Sequence, residues 1–92
     1  MSLDRYSFDD LVNEVCRCMP SIEFSSSDLI TYIEHGALRE LSSDSSDSYS
    51  GSDLVHLLLC IEYVEDGLGF AEAVREVKAL VRMESLLQLV HH

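Results

Sequence analysis

Cations are scarce in this chain: six Lys and Arg stand against 17 Asp and Glu, a formal charge of -11. That shortage excludes the basic surplus with which nucleic-acid binders and membrane-surface proteins neutralise phosphate. Long apolar runs are also missing. None approaches the ~20 residues that cross a bilayer, and Met1-Ser2-Leu3-Asp4-Arg5 lacks the charged-then-apolar order of an export signal. A cytoplasmic protein without membrane contact is the expectation. Cysteine is limited to Cys16, Cys18 and Cys60, an odd number that reads as reduced thiols and not as a disulfide framework. Ninety-two residues are too few for two domains or a large catalytic cleft. What the chain does have is apolar material, at 47%, more than acidic disordered chains carry. One folded domain over residues 1–92 follows. Met1–Leu3 and His91–His92, the last two as the stub of a tag would be, are set aside from the functional reading.

Residues 9–19 place Leu11, Val12, Val15, Cys16 and Met19 at helical spacing behind an acidic first turn, and Pro20 stops the run. Ser25-Ser26-Ser27-Asp28 offers N-caps for a second helix carrying Leu29, Ile30, Ile33 and Ala37, with Gly36 at its end. Two short helices joined this tightly, over about 8–38, read as a helix-turn-helix unit. From 41 to 52 the composition collapses to Ser, Asp, Gly and one Tyr, which predicts a flexible loop or poorly ordered hairpin that buries no apolar area. Two C-terminal helices fill 53–90. Residues 53–66 are apolar nearly all round, predicting a helix at the centre of the fold that Gly67 and Gly69 end. The last helix, from about Phe70 to Leu89, puts Phe70, Val74, Val77 and Val81 on one stripe and Glu72, Arg75, Glu76, Lys78 and Arg82 elsewhere.

Three signatures in this order resemble the MerR-type winged-helix family over about residues 8–80. Leu29-Ile30-Thr31-Tyr32-Ile33-Glu34-His35-Gly36-Ala37-Leu38 is similar to the end of that family's recognition helix. Tyr49-Ser50-Gly51-Ser52-Asp53-Leu54 resembles the Tyr-Ser-x-x-Asp-Leu that leads from the wing into the third helix. Thirteen positions beyond Leu54, Gly67-Leu68-Gly69-Phe70-Ala71-Glu72-Ala73-Val74 looks like the turn that starts the fourth helix. The resemblance implies an all-α, four-helix, MerR-like winged helix-turn-helix domain with a Ser/Asp-rich wing and a long C-terminal helix.

DNA-binding members of that family carry Arg and Lys on the second helix and in the wing, where phosphates and base edges are contacted. Here the second helix offers Ser27, Asp28, Thr31 and Glu34, and the wing offers Asp44, Asp47 and serines, with Arg39 as the nearby cation. The same departure marks the chaperone-modulator branch, bacterial MerR-like proteins of about this length that inhibit a DnaJ-like co-chaperone. Leu29, Ile33 and Gly36-Ala37-Leu38 align with that branch's helix-two pattern without a gap, whereas Arg39-Glu40 stands where its members often have Pro. A J-domain presents a basic helix to its Hsp70-type chaperone, so an inhibitor competing for that face should be acidic. The alternative that keeps the fold is an atypical transcription factor or recombination accessory protein reaching DNA through a partner.

The candidate partner-binding residues are therefore acidic: Glu62, Glu65 and Asp66 at the end of the third helix, Glu72 and Glu76 on the fourth, and Asp28 and Glu34 on the second. A charged helix face is usually only solvated. Here no Lys or Arg lies between positions 40 and 74 to neutralise the cluster, and Glu65 and Asp66 stand where the helix dipole disfavours them. No cofactor or metal is expected. Cys16 and Cys18 point to different sides of a helix, and His56 with Cys60 gives two ligands where a structural zinc needs four. No catalytic residue is expected either, since no Ser, Cys or Lys is set in a glycine-rich loop as a nucleophile, and His35 and His56 read as solvated. The loop lacks the closing Glu and central Gly of a calcium site. Finally, Val81, Leu86, Leu87, Leu89 and Val90 extend the last helix's apolar content beyond what a small core covers, and MerR-like proteins pair through that helix, so a homodimer is expected.

Overall fold

The computed structural model of the protein describes residues 5–42 and 47–90, the last of these as backbone beyond Met83 except for Leu86. Its elements are β1 (Arg5–Tyr6), α1 (Phe8–Cys18), α2 (Ser26–Glu34), β2 (Tyr49–Ser50), α3 (Gly51–Glu65) and α4 (Phe70–Val90). Helix dominates, as the periodicity predicts. Asp44, assigned to the wing, lies outside the described residues.

One sequence pattern starts three of the helices. At Ser7-Phe8-Asp9-Asp10 the Ser7 hydroxyl accepts from the Asp10 N–H at 3.1 Å while the Ser7 N–H donates to the Asp10 carboxylate at 3.2 Å. Ser50 and Asp53 repeat this reciprocal box ahead of α3, at 3.2 and 2.8 Å. Ahead of α2, the N–H and the hydroxyl of Ser25 both donate to Asp28, at 2.9 and 3.1 Å. Each box satisfies backbone N–H groups that a helix start otherwise leaves unpaired. The ends are equally explicit. After α2 the Gly36 N–H donates to Ile33 and the Ala37 N–H to Tyr32, with Gly36 at φ +86°. After α3, Gly67 and Leu68 do the same to Val64 and Tyr63, with Gly67 at φ +111°. This left-handed stop favours glycine, because a Cβ would crowd the neighbouring carbonyl.

The core gathers Leu11 and Val15 of α1, Leu29 and Tyr32 of α2, Leu57, Cys60 and Ile61 of α3, and Val74 and Val77 of α4. Truncating fully enclosed Leu57 to Ala is of the kind that costs about 2–5 kcal/mol. Helix α3 is less central than its composition predicts: Val55 is 54% exposed, and Leu58 and Leu59 are only half-buried. It packs chiefly on α4, leaving one flank open. Helix α4, at 21 residues against 15, outruns α3 by about 9 Å.

The segment 41–52 departs from its expectation. Tyr49 and Ser50 form a two-residue antiparallel strand with β1, in register Arg5 to Ser50 and Tyr6 to Tyr49, and α3 begins at Gly51 and not at 53. Tyr49 is 1% exposed, so this stretch does bury apolar area. Its hydroxyl donates to the Arg39 carbonyl at 3.0 Å, and the Arg39 guanidinium lies 5.9 Å from its ring centroid. Arg39 also donates to Asp47 at 3.0 Å and to the Ser48 carbonyl at 2.6 Å, while the Ser42 N–H donates to Asp47 at 2.7 Å. Arg39 thus ties the segment's two ends together.

Candidate functional site

The acidic surface is built around an aromatic clamp. Tyr32 meets Phe70 edge-on at 5.0 Å and Phe24 at 6.3 Å, and His35 stacks on Phe70 at 5.4 Å. These contacts hold the end of α2 against the start of α4, directly beyond the turn that ends α3. Burial, then the Cys60 thiol, then the carboxylates of Glu65 and Asp28 push the Tyr32 phenol up to about 12. Carboxylates from α2 and α3 therefore act on one buried hydroxyl. The neighbours Glu62 and Asp66, and Glu72 and Glu76 in the first turns of α4, are all exposed, as is Glu34 beside His35.

None of these seven carboxylates has a cationic partner: the ion pairs among the described residues are Arg17–Glu14 and Arg39–Asp47. Their local reasons differ. Asp28 is half-buried and caps α2, so its carboxylate serves the fold whatever else it does. Glu72 lies in the first turn of α4, where the dipole favours it. Glu65 and Asp66 close α3, where the dipole opposes them, and neither makes a hydrogen bond through its side chain.

Other sequence candidates are placed as follows. His35 is exposed, as expected, and is held by its stack and by a 2.9 Å contact from Nδ1 to the Thr31 carbonyl. Among the described residues no three His, Cys, Asp or Glu side chains converge as a metal site would require. Cys60 is buried, and its thiol is pushed up to about 11 by that burial, against a smaller lowering by Lys78. Cys16 and Cys18 are exposed, with Cys16 Sγ donating to the Phe24 carbonyl at 3.3 Å.

The expected pairing face on α4 needs redrawing. Val81 is half-buried against the core, so it belongs to the stripe of Val74 and Val77 and not to a free seam. Leu86 is 57% exposed, and the side chains of Leu87, Leu89 and Val90 lie outside the described residues. Leu80 and Met83, at 42% and 60% exposed, join Leu86 on the open side and were not singled out from the sequence. Their signal was the 80/83 spacing, hidden because they flank core residues. Arg75, Lys78 and Arg82, expected off the core stripe, are exposed and form a cationic flank of α4.

No helix among the described residues is long and apolar enough to cross a membrane. Comparison with known families, with curated proteins and with solved structures finds no match to this chain.

Proposed function

We propose that this protein is a cytoplasmic, non-enzymatic binding modulator with a MerR-like fold. It docks its acidic corner on the basic J-domain of a DnaJ-like co-chaperone and so blocks access to the Hsp70-type chaperone. The observation behind this reading is the state of Glu62, Glu65, Asp66, Glu72 and Glu76: exposed, close in sequence on either side of the α3–α4 turn, and free of any ion pair. Such a surface repels nucleic acid, and complementary charge raises the encounter rate with a basic partner. The transcription-factor reading finds no support in α2, whose sequence contains no Lys or Arg, or in Arg39, which is engaged with Asp47.

The test is charge reversal at Glu65, Asp66 and Glu72, read as association rate with a purified basic J-domain by stopped-flow or surface plasmon resonance. The triple variant should associate roughly tenfold or more slowly, and the difference should shrink as salt rises past ~0.15 M. Glu23→Lys serves as the comparison on the helix-turn-helix side. Asp28 does not, because its loss would uncap α2. An unchanged rate for the triple variant, or submicromolar binding of the native chain to duplex DNA by anisotropy, would overturn the proposal.

The same proposal includes self-association through Leu80, Met83 and Leu86 of α4, which together offer an apolar surface with no cover in the monomer. Sedimentation should show a dimer that Met83→Glu converts to monomer. A native chain that stays monomeric at high micromolar concentration removes this part.

A further inference from the structure

In a chain with 17 carboxylates and six cations, each cation has acidic neighbours to choose from, and Arg17 and Arg39 both take one. Among the described residues Arg5 takes none, and helix α4 gathers three more that take none. Arg75, Lys78 and Arg82 are exposed and make no ion pair, although Glu72 stands three positions before Arg75, the spacing at which helix pairs form. Spaced by three and four, the three cations share one flank of the helix.

That flank borders a groove of about 330 Å³ between α4, α3 and the segment after α2. Ala37 and Val81, both half-buried, line it together with Val74, Val77 and Cys60, which are buried in the core. Lys78 and Arg82 stand along one side, with His56 contributing from α3. The Lys78 ammonium reaches toward the left-handed turn that ends α2, lying 3.5 Å from where a Cβ on Gly36 would stand. Cationic rim and apolar floor meet here in an otherwise strongly acidic molecule.

We infer that this groove binds a small amphipathic anion: a carboxylate held at Arg82 and Lys78, with a short aliphatic tail lying along Ala37 and Val81. The guanidinium fork matches a carboxylate in two-point geometry, and the ammonium adds a point charge beside it. The half-buried Ala37 and Val81 give such a tail its apolar contact. The volume is at the small end of the ~300–1,000 Å³ typical of small-molecule sites, which suits a single short chain. No residue of the acidic corner takes part, so the inference stands independently of the J-domain reading.

Decanoate is the probe, titrated into the full ¹⁵N-labelled chain at neutral pH and followed by amide shifts. Saturable shifts should centre on Ala37, Val74, Val77 and Val81. Acetate, which has no tail, and decyltrimethylammonium, which reverses the charge, should produce none that saturate. Lys78→Glu with Arg82→Glu should weaken decanoate binding roughly tenfold or more with helix content by circular dichroism unchanged. Should that variant lose helix content, the milder Arg82→Gln reads the same interaction and should weaken binding severalfold. Equal binding of the cationic and anionic amphiphiles, undiminished binding by folded variants, or shifts centred instead on the apolar groove beside Val55 and Leu59 would each overturn the inference.

Discussion

Five carboxylates of the first 53 residues and the five of the α3–α4 corner live in different circumstances. Asp10, Asp28 and Asp53 cap helices, Glu14 holds Arg17, and Asp47 joins Arg39 to the Ser42 backbone. At Glu62, Glu65, Asp66, Glu72 and Glu76 no side-chain hydrogen bond or ion pair forms. Net charge alone treats these groups as equivalent. Their surroundings separate those that the fold requires from those it merely carries, and a group the fold does not require is the one available to a partner.

The largest test of that division removes the caps. Ser7→Ala and Ser50→Ala each delete a hydroxyl that accepts from a helix-start N–H, a change worth ~1 kcal/mol apiece. The two sites belong to different helix starts, so the double variant should lose about 2 kcal/mol in urea unfolding, with an unchanged slope. A loss below ~0.5 kcal/mol would mean that the acidic boxes are as dispensable as the corner.

A smaller effect sets in above neutral pH. The Cys60 thiol, lifted to about 11 by burial, holds its proton in the folded chain longer than in the unfolded one, where it ionises near 9. Its contribution is complete below pH 9 and lost as pH rises through 11, on the order of 1 kcal/mol of it by pH 10. Cys60→Ala should flatten that part of the alkaline limb in unfolding experiments at pH 8 and pH 10, leaving the decline from Tyr32, which lies higher. At neutral pH a thiol reagent should titrate Cys16 and Cys18 promptly and Cys60 only on unfolding.

Asp47 supplies the acid counterpart. The Ser42 N–H first, and then Arg39, hold its carboxyl below the ordinary carboxylate value. Its contribution is therefore whole above that ordinary value and disappears as pH falls through the lowered one. Asp47→Asn should shallow the acid limb slightly, because the carboxylate keeps contact with solvent that screens it.

Much of this was legible along the chain. Apolar spacing located four helices, and Gly36 and Gly67 marked two ends, because local sequence alone determines a capping box or a left-handed stop. The pairing of Arg5–Tyr6 with Tyr49–Ser50 was not legible. Two residues are too few to show alternation, and the partners lie over forty positions apart. Composition likewise concealed Tyr49, one aromatic among serines and aspartates, whose burial depends on Arg39 and β1. The acidic residues were visible as a charge excess, but only the folded chain shows Asp28 engaged as a cap and Glu65 acting on Tyr32. The groove is hidden from sequence altogether, being assembled from α3, α4 and the turn after α2.

The smallest expected effect is the sharpest test of the comparison. Glu65→Gln, Asp66→Asn and Glu72→Gln together remove three charges without changing shape. If the corner contributes nothing to folding, urea stability should stay within ~0.5 kcal/mol of the native chain. The sign is also informative. Glu72 in the first turn of α4 loses a favourable dipole interaction, while Glu65 and Asp66 at the end of α3 are relieved of an unfavourable one. Two reliefs against one loss, together with less mutual repulsion, predict a slight gain that fades with added salt. A loss above 1 kcal/mol would show that these carboxylates support the Tyr32–Phe70 clamp, and their exposure would then no longer argue for a partner. A gain accompanied by slower association with a J-domain would show charge retained against the interest of stability, as binding selects and folding does not.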